Sequence, residues 1–456
     1  MADTIAAVAT GGGVSAIGVI RISGDDAIDI VSRVFRPKSG KGIGEYESGR
    51  LVYGELLGPD GAAVDLCLCT ISRAPHSYTG ENTAELHCHG SPVVLAEGLR
   101  ALFEAGARQA LPGEFTKRAF LNGKMDLSQA AAVIDLIDAQ TEIAAKNALG
   151  QLKGAVGRKI EEIYSRLLDI RSHYFAVIDY PDEDIEPFAL SEYKETLGHV
   201  SAQLERLLAT YDSGRVLKDG VVTAIIGRPN VGKSSLLNAL AGYDRAIVSP
   251  YAGTTRDTIE ERVRLGSVVL RLTDTAGLRD TGDEIERLGV ERSKAAAEAA
   301  SLVLAVFDGS EPLTEHDRSV IDAAAHTRRC IAVVNKSDLP RRLEAAEIEK
   351  ALGAPVYVSA RTGEGMDALK KAVEDLYGMG GLLPNGEVLT NALQADAVRR
   401  AIAAVAQARR ALDDGYTPDA VLSDLEEAMS ALGEITGRTV REDTISRIFE
   451  RFCVGK

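Results

Sequence analysis

Tryptophan is absent from this 456-residue chain, and aromatic residues make up only 5% of it. Cysteine is scarce too. Cys67, Cys69, Cys88, Cys330 and Cys453 are odd in number and lack framework spacing, which excludes a disulfide scaffold and suits a reducing compartment. No apolar run reaches the roughly 18 residues that a membrane span needs. The opening Met-Ala-Asp-Thr-Ile has no basic segment followed by an apolar one, so no secretory signal is expected. Cytoplasm is the expected location. Basic residues are outnumbered, 52 against 67 acidic ones, for a net charge of −15. A chain this acidic does not coat nucleic acid non-specifically, because phosphate neutralisation dominates such binding. Any RNA contact must be local, or shared with a more basic partner. Repeats and low-complexity tracts are also missing, and the length suggests about two to four domains.

What is present falls into three textures. Residues 1–121 read as a small α+β unit. Ala16–Ile22 has the look of a strand followed by a helix from Asp25. Leu51–Leu57 and Ala63–Ile71 flank Gly58-Pro-Asp-Gly61 as strand, turn and strand. Glu85–His89 suggests another strand, before a helix over Val93–Ala105. Residues 122–215 are helical: Val156, Ile160, Ile163, Leu167 and Ile170, then Leu197, Val200, Leu204 and Leu207, recur every three or four residues. Residues 216–378 alternate apolar strands (Val221–Ile226, Val268–Thr273, Leu302–Phe307, Ile331–Val334, Val356–Val358) with helical stretches, the pattern of a parallel α/β sheet. After Gly378-Met-Gly-Gly381 the helical texture resumes over 379–456. The fold class expected is therefore multidomain α/β, with an N-terminal α+β domain and a P-loop domain inserted into a helical bundle, an arrangement that closely spaced domain termini permit.

Gly227-Arg-Pro-Asn-Val-Gly-Lys-Ser234 follows an apolar strand and opens a helix at Ser235, the setting a phosphate loop requires. Its backbone from Asn230 through Val231 and Gly232 can cradle phosphates at a helix N-terminus, where the dipole favours anions. Lys233 would reach the β- and γ-phosphates, and the Ser234 hydroxyl would ligate magnesium. Three further loops follow in order. Gly253-Thr-Thr255 offers a threonine to complete magnesium coordination. Asp274-Thr275-Ala276-Gly277 ends a strand, so Asp274 can hold magnesium through water while the Gly277 N–H senses the γ-phosphate. Asn335-Lys336-Ser-Asp338 follows another strand, and the Asp338 carboxylate can accept both donors of the guanine edge. Ser359-Ala360, running on to Arg361, can place a backbone N–H on the guanine oxygen. Four loops agreeing in order and strand context indicate a domain that binds and hydrolyses GTP.

The route of hydrolysis is less plain. The position where Ras-like enzymes carry a water-orienting glutamine is Leu278 here. Arg256 and Arg279 are at hand locally, though each reads more readily as a solvated or structural arginine. His87-Cys88-His89, with Cys67 and Cys69, invites a metal reading. Strand alternation turns the two histidines away from Cys88, however, and the spacing fits no zinc pattern.

Taken together, these motifs resemble those of the MnmE (TrmE) GTPases that modify transfer RNA, and the likeness runs nearly end to end. Gly-Thr-Thr-Arg-Asp257 and Asp-Thr-Ala-Gly-Leu-Arg279 are shared widely among GTPases. Pro112-Gly-Glu-Phe115, Arg118-Ala-Phe-Leu-Asn-Gly-Lys124 and the terminal Phe452-Cys-Val-Gly-Lys456 are particular to this family. The resemblance implies that potassium replaces an arginine finger, held by Asn230 and by the carbonyls of Ser249, Tyr251 and Thr254. A cation so placed stabilises the same developing charge as a guanidinium. It implies Glu286 as the water-orienting residue, and homodimers whose GTPase domains meet across the bound ion. It further implies an N-terminal domain that binds 5-formyl- or methylene-tetrahydrofolate through Arg21, Glu85, Lys124 and Lys456. Cys453 would be a nucleophile near the one-carbon unit, or a merely structural thiol. The implied partners are transfer RNA and an FAD-dependent MnmG/GidA-type protein in a heterotetramer. Two rival readings share the nucleotide loops: a ribosome-assembly GTPase, which should carry a basic RNA-binding module, and a nucleotide-switched adaptor whose hydrolysis is incidental.

Overall fold

The computed structural model describes residues 3–11, 13–179, 190–243, 261–272, 297–381, 385–440, 445, 448–450 and 452–455. Contacts divide the chain into two compact units, residues 1–134 with 430–456, and residues 135–429.

The first unit is built on a seven-stranded sheet in the order β3-β4-β5-β6-β2-β1-β7. Its strands are β1 (Ile5–Val8), β2 (Ser15–Ser23), β3 (Phe35–Pro37), β4 (Val52–Leu57), β5 (Ala63–Ser72), β6 (Thr83–Gly90) and β7 (Arg108–Gln109). Neighbours pair antiparallel except β1 with β7. The alternation of β5 and β6 sends Cys67, Cys69, Leu86 and Cys88 inward, where α1 (Ala27–Val34) and α2 (Pro92–Glu104) cover them. The other face keeps Ile17, Tyr53, Leu66 and Leu68 exposed. His87 and His89 lie on that face, opposite Cys88, as strand alternation requires. Helices α3 (Glu114–Leu121) and α4 (Leu127–Ile137) follow. Phe120, Leu127 and Ala130 pack with Phe449 and Phe452 from the far end of the chain.

In the second unit, α5 (Glu142–Leu152), α6 (Ala155–Asp179), α7 (Leu190–Ala209) and α8 (Tyr211–Asp219) precede the α/β segment. Gly154, at φ +83, separates α5 from α6. Val156, Ile160, Ile163 and Leu167 are buried, whereas Leu149 is exposed. Strands β8 (Val221–Ile226), β9 (Glu261–Leu265), β10 (Val268–Leu272), β11 (Leu302–Asp308), β12 (Cys330–Asn335) and β13 (Val356–Tyr357) form a sheet ordered β13-β12-β11-β8-β10-β9. Five strands run parallel, as the sequence suggests; β9 is antiparallel to β10 and escapes the apolar pattern because Glu261, Arg262 and Arg264 leave it only two aliphatic residues. Helices α9 (Lys233–Tyr243), α10 (Glu315–Ala325), α11 (Ala346–Leu352) and α12 (Met366–Leu376) accompany it, and α13 (Ala392–Asp413) and α14 (Pro418–Thr436) close the chain. Helix α13 returns to pack on α7, so helices from either side of the α/β segment share one core. Among the described residues, no helix is long and apolar enough to cross a membrane.

Candidate functional site

The phosphate loop joins β8, central in its sheet, to α9. Two of its glycines are dictated by contact. Gly227 sits at φ +158, and a Cβ there would come within 2.5 Å of the Val306 carbonyl; Gly232, at φ +95, would drive one to 2.2 Å from Asn335 Nδ2. Asn230 holds the left-handed conformation at φ 63 although it is not glycine, and its side chain is exposed. Val231 is fully buried and anchors the loop from beneath. The Lys233 ammonium donates to the carbonyls of Gly227 (2.7 Å) and Arg228 (2.8 Å), so it lies inside the curve of the loop. Burial, and then the charge of Arg228, hold this lysine below its ordinary range. Ser234 and Ser235 occupy the first turn of α9, at the helix end whose dipole favours anions.

The Asn335–Asp338 loop leaves the end of β12. Asn335 is buried and spans two loops: its Nδ2 donates to the Val231 carbonyl (2.9 Å), and its Oδ1 accepts from the Ala360 N–H (3.0 Å). It ties the phosphate loop to the Ser359–Arg361 loop. The Ala360 N–H expected to meet a guanine oxygen thus already has an acceptor, which an incoming base would share or displace. Ser359 is also fully buried; its hydroxyl donates to Asp338 Oδ1 (2.7 Å) and its N–H to the Glu364 carbonyl (2.9 Å). The first bond fixes the Asp338 carboxylate, and the role of Ser359 is to orient that group.

Two contributors escaped the sequence reading. Asp308, buried at the end of β11, accepts from Lys336 Nζ (2.5 Å) and from the N–H and hydroxyl of Ser310 (2.9 and 2.6 Å). Burial pushes its carboxyl up, but the bonds from Lys336 and Ser310 outweigh burial and leave it below the ordinary aspartate value. Lys336, at φ 64, is therefore a strut. Arg228 pairs with Glu311 and, at 3.2 Å, with the buried Asp317, which also caps α10 through Thr314. The only signal of either was an acid at the end of an apolar strand, or just inside a helix. Ser249, Tyr251, Thr254, Thr255, Asp274, Thr275, Ala276, Gly277 and Glu286 lie outside the described residues, as do Arg256, Leu278, Arg279 and Lys456.

A second cluster forms in the first unit. Arg21 and Glu85 face each other across β2 and β6 and pair at 2.8 Å. The Arg21 guanidinium stands 5.6 Å from the centre of the Tyr78 ring, whose hydroxyl is 3.0 Å from that of Thr116. Lys124 Nζ donates to the Pro75 carbonyl (3.0 Å), in the same loop as Tyr78. Cys453 is exposed, and the tail carrying it is pinned: Val454 bridges Pro112, and the Gly113 N–H donates to the Cys453 carbonyl at 3.3 Å. Gly113 is at φ +65, and a Cβ there would lie 2.7 Å from the Phe449 carbonyl. Two motifs at opposite ends of the sequence, Pro112–Phe115 and the terminal segment, thus meet.

Comparison with known proteins agrees with both halves. The "GTP-binding protein TrmE N-terminus" family model matches residues 4–124, and the "MnmE helical domain" model matches 127–453. The chain belongs to the MnmE (TrmE) family. Curated relatives named tRNA modification GTPase MnmE match it throughout. That of Symbiobacterium thermophilum is 45% identical over 456 residues, and that of Geobacillus kaustophilus 44% over 460, each alignment covering 100% of this chain and 99% of the relative. The MnmE likeness therefore spans the nucleotide loops, the helices on either side and the pinned C-terminal tail.

Proposed function

We propose that this GTP hydrolase of transfer RNA modification is potassium-activated and works as a homodimer with an FAD-dependent protein of the MnmG/GidA type. Together they add a carboxymethylaminomethyl or aminomethyl group to carbon 5 of the wobble uridine of certain transfer RNAs in the cytoplasm. The observation that carries the nucleotide half is Asn335 joining the phosphate loop to the loops that hold Asp338. One side chain sets the distance between phosphate recognition and base recognition, and Asp338, steadied by Ser359, selects guanine.

Ser234 and Thr255 are assigned to magnesium, with Asp274 acting through water. Asn230, with the carbonyls of Ser249, Tyr251 and Thr254, is assigned to potassium; its exposed side chain and left-handed backbone support that role. The metal ions supply positive charge where the transferred phosphoryl group becomes more negative. Lys233 adds an ammonium inside the loop, and Glu286 orients the attacking water. In the first unit, Arg21, Glu85, Lys124 and Lys456 are assigned to a tetrahydrofolate, which brings the one-carbon unit. Basic groups suit its carboxylates, and an acid suits its amino-pyrimidine edge. The exposed Ile17, Tyr53, Leu66 and Leu68 on the same sheet face support a dimer surface there.

Hydrolysis measured in potassium and in sodium tests the mechanism. We expect at least about a tenfold higher rate in potassium, lost in Asn230→Ala; equal rates in the two salts would overturn it. Deletion of the gene should abolish the modified wobble nucleoside, and unchanged nucleosides would overturn the biological role.

A further inference from the structure

At the end of the second unit's sheet where β8 begins, a cleft of about 730 Å³ opens beneath α8. The phosphate loop lies at the opposite end of that strand. The floor of the cleft is Tyr377, buried just past α12, whose hydroxyl donates to the Ser301 carbonyl at 3.3 Å. Helix α8 is fastened to this floor by the Ser213 hydroxyl, which donates to the Tyr377 carbonyl at 2.9 Å. The turn between α8 and β8 is equally fixed: Gly220 sits at φ +70, and a Cβ there would meet the Val269 carbonyl at 2.6 Å. The cleft is therefore built rigidly and does not depend on a loose loop.

Arg215, Arg271, Arg328 and Arg329 line the cleft, and all but Arg271 act on Tyr377. Arg329 lies 4.4 Å above the Tyr377 ring, and Arg215 and Arg328 line the same cleft. Burial raises the Tyr377 phenol, and the hydrogen bond from Arg329, then the charges of Arg329, Arg215 and Arg328, pull it partly back. None of the three forms an ion pair among the described residues. In a chain of net charge −15, an anion entering the cleft would therefore meet guanidinium donors not already held by carboxylates.

The cleft also carries the opposite charge: Asp212, Asp219, Glu298 and Asp322 line it and, like Arg215 and Arg328, are exposed. Those carboxylates decide the size of the occupant. A nucleic-acid backbone would bring further phosphates against them, whereas a single phosphate on the arginines leaves them free to accept hydroxyl or amino donors. The volume falls in the usual range for small-molecule sites, about 300–1,000 Å³.

We propose that this cleft is a second ligand site, for a nucleotide-sized phosphorylated molecule, with its phosphate on Arg215, Arg328 and Arg329 and its hydroxyl or amino groups toward the carboxylates of Asp212, Asp219, Glu298 and Asp322. It lies outside the GTP loops and does not depend on the potassium or folate assignments. The test is equilibrium binding of labelled AMP to the full chain with its guanine site saturated by GDP and magnesium, using inorganic pyrophosphate as competitor. We expect one AMP per chain, displaced by pyrophosphate. In the double variant Arg215→Gln, Arg328→Gln, affinity for AMP should fall at least about tenfold, the worth of one lost charge-assisted hydrogen bond. Both residues are exposed and, among the described residues, neither touches the GTP loops, so GDP affinity and melting temperature should hold. No AMP bound at millimolar concentration, AMP affinity unchanged in the double variant, or a short RNA hairpin held by these arginines in preference to AMP would each overturn the proposal.

Discussion

Asn335 shows how one side chain can do structural work inside a recognition loop. Its bond to the Val231 carbonyl is buried, and its bond from the Ala360 N–H is part-buried. Asn335→Ala removes both and strands an acceptor and a donor, at about 1–3 kcal/mol for the buried carbonyl. GDP affinity, titrated with a fluorescent nucleotide, should fall at least about tenfold, although the residue need not touch the ligand. An unaltered affinity would mean that the two loops hold their spacing independently. Lys233→Ala is expected to behave differently. Lys233 meets its own loop's carbonyls and, in the proposed mechanism, would turn to the β- and γ-phosphates of GTP, so hydrolysis should be abolished while the fold melts near the wild-type temperature. Retained hydrolysis would remove it from the catalytic set.

Among the elements, α10 joins local chemistry to the site. Thr314 accepts from the Asp317 N–H, and Asp317 accepts back from the Thr314 N–H and hydroxyl, a capping box read at the helix start. Asp317 then reaches Arg228 in the phosphate loop. Thr314→Ala should cost about 1 kcal/mol by chemical denaturation. Asp317→Ala should cost more, about 3 kcal/mol, because it also strips a mostly buried arginine of one partner. Equal costs would show that the Arg228 contact adds nothing. The contrast also marks what a sequence can disclose. The phosphate loop was legible because Gly227, Gly232 and Lys233 are demanded by close approach and charge within eight residues. Asp308 under Lys336, and Asp317 under Arg228, were not, since each pairing depends on strand order in the folded sheet. Strand β9 was hidden by its charges, and the meeting of Pro112 with Val454 by the length of chain between them. The family likeness supplied the significance of that last pair, which periodicity alone would have left as an ordinary turn and a frayed end.

For the whole molecule, two units imply that unfolding need not be two-state, and acid offers a way to tell them apart. Glu114, in the first unit, is pushed up by burial, but Arg108, the Leu111 N–H and Arg118 outweigh burial and leave it below the ordinary glutamate value. Asp308, in the second, is likewise lowered. A carboxyl whose folded pKa lies below its unfolded one binds fewer protons when folded. It therefore contributes stability that is fully present above the unfolded value, near pH 4 to about 4.5, and that is lost as pH falls through the folded value. Both units should weaken below that window. GDP with magnesium should raise only the transition of the second unit, by about 2.7 kcal/mol at a hundred times its dissociation constant. Asp308→Asn should flatten the acid dependence of that same transition and leave the other as steep as before. If the flattening appeared instead in the transition that GDP does not move, the placement of Asp308 beneath the Asn335–Asp338 loop would be wrong. If neither transition changed, the Lys336 and Ser310 contacts would not hold the carboxylate ionised in solution.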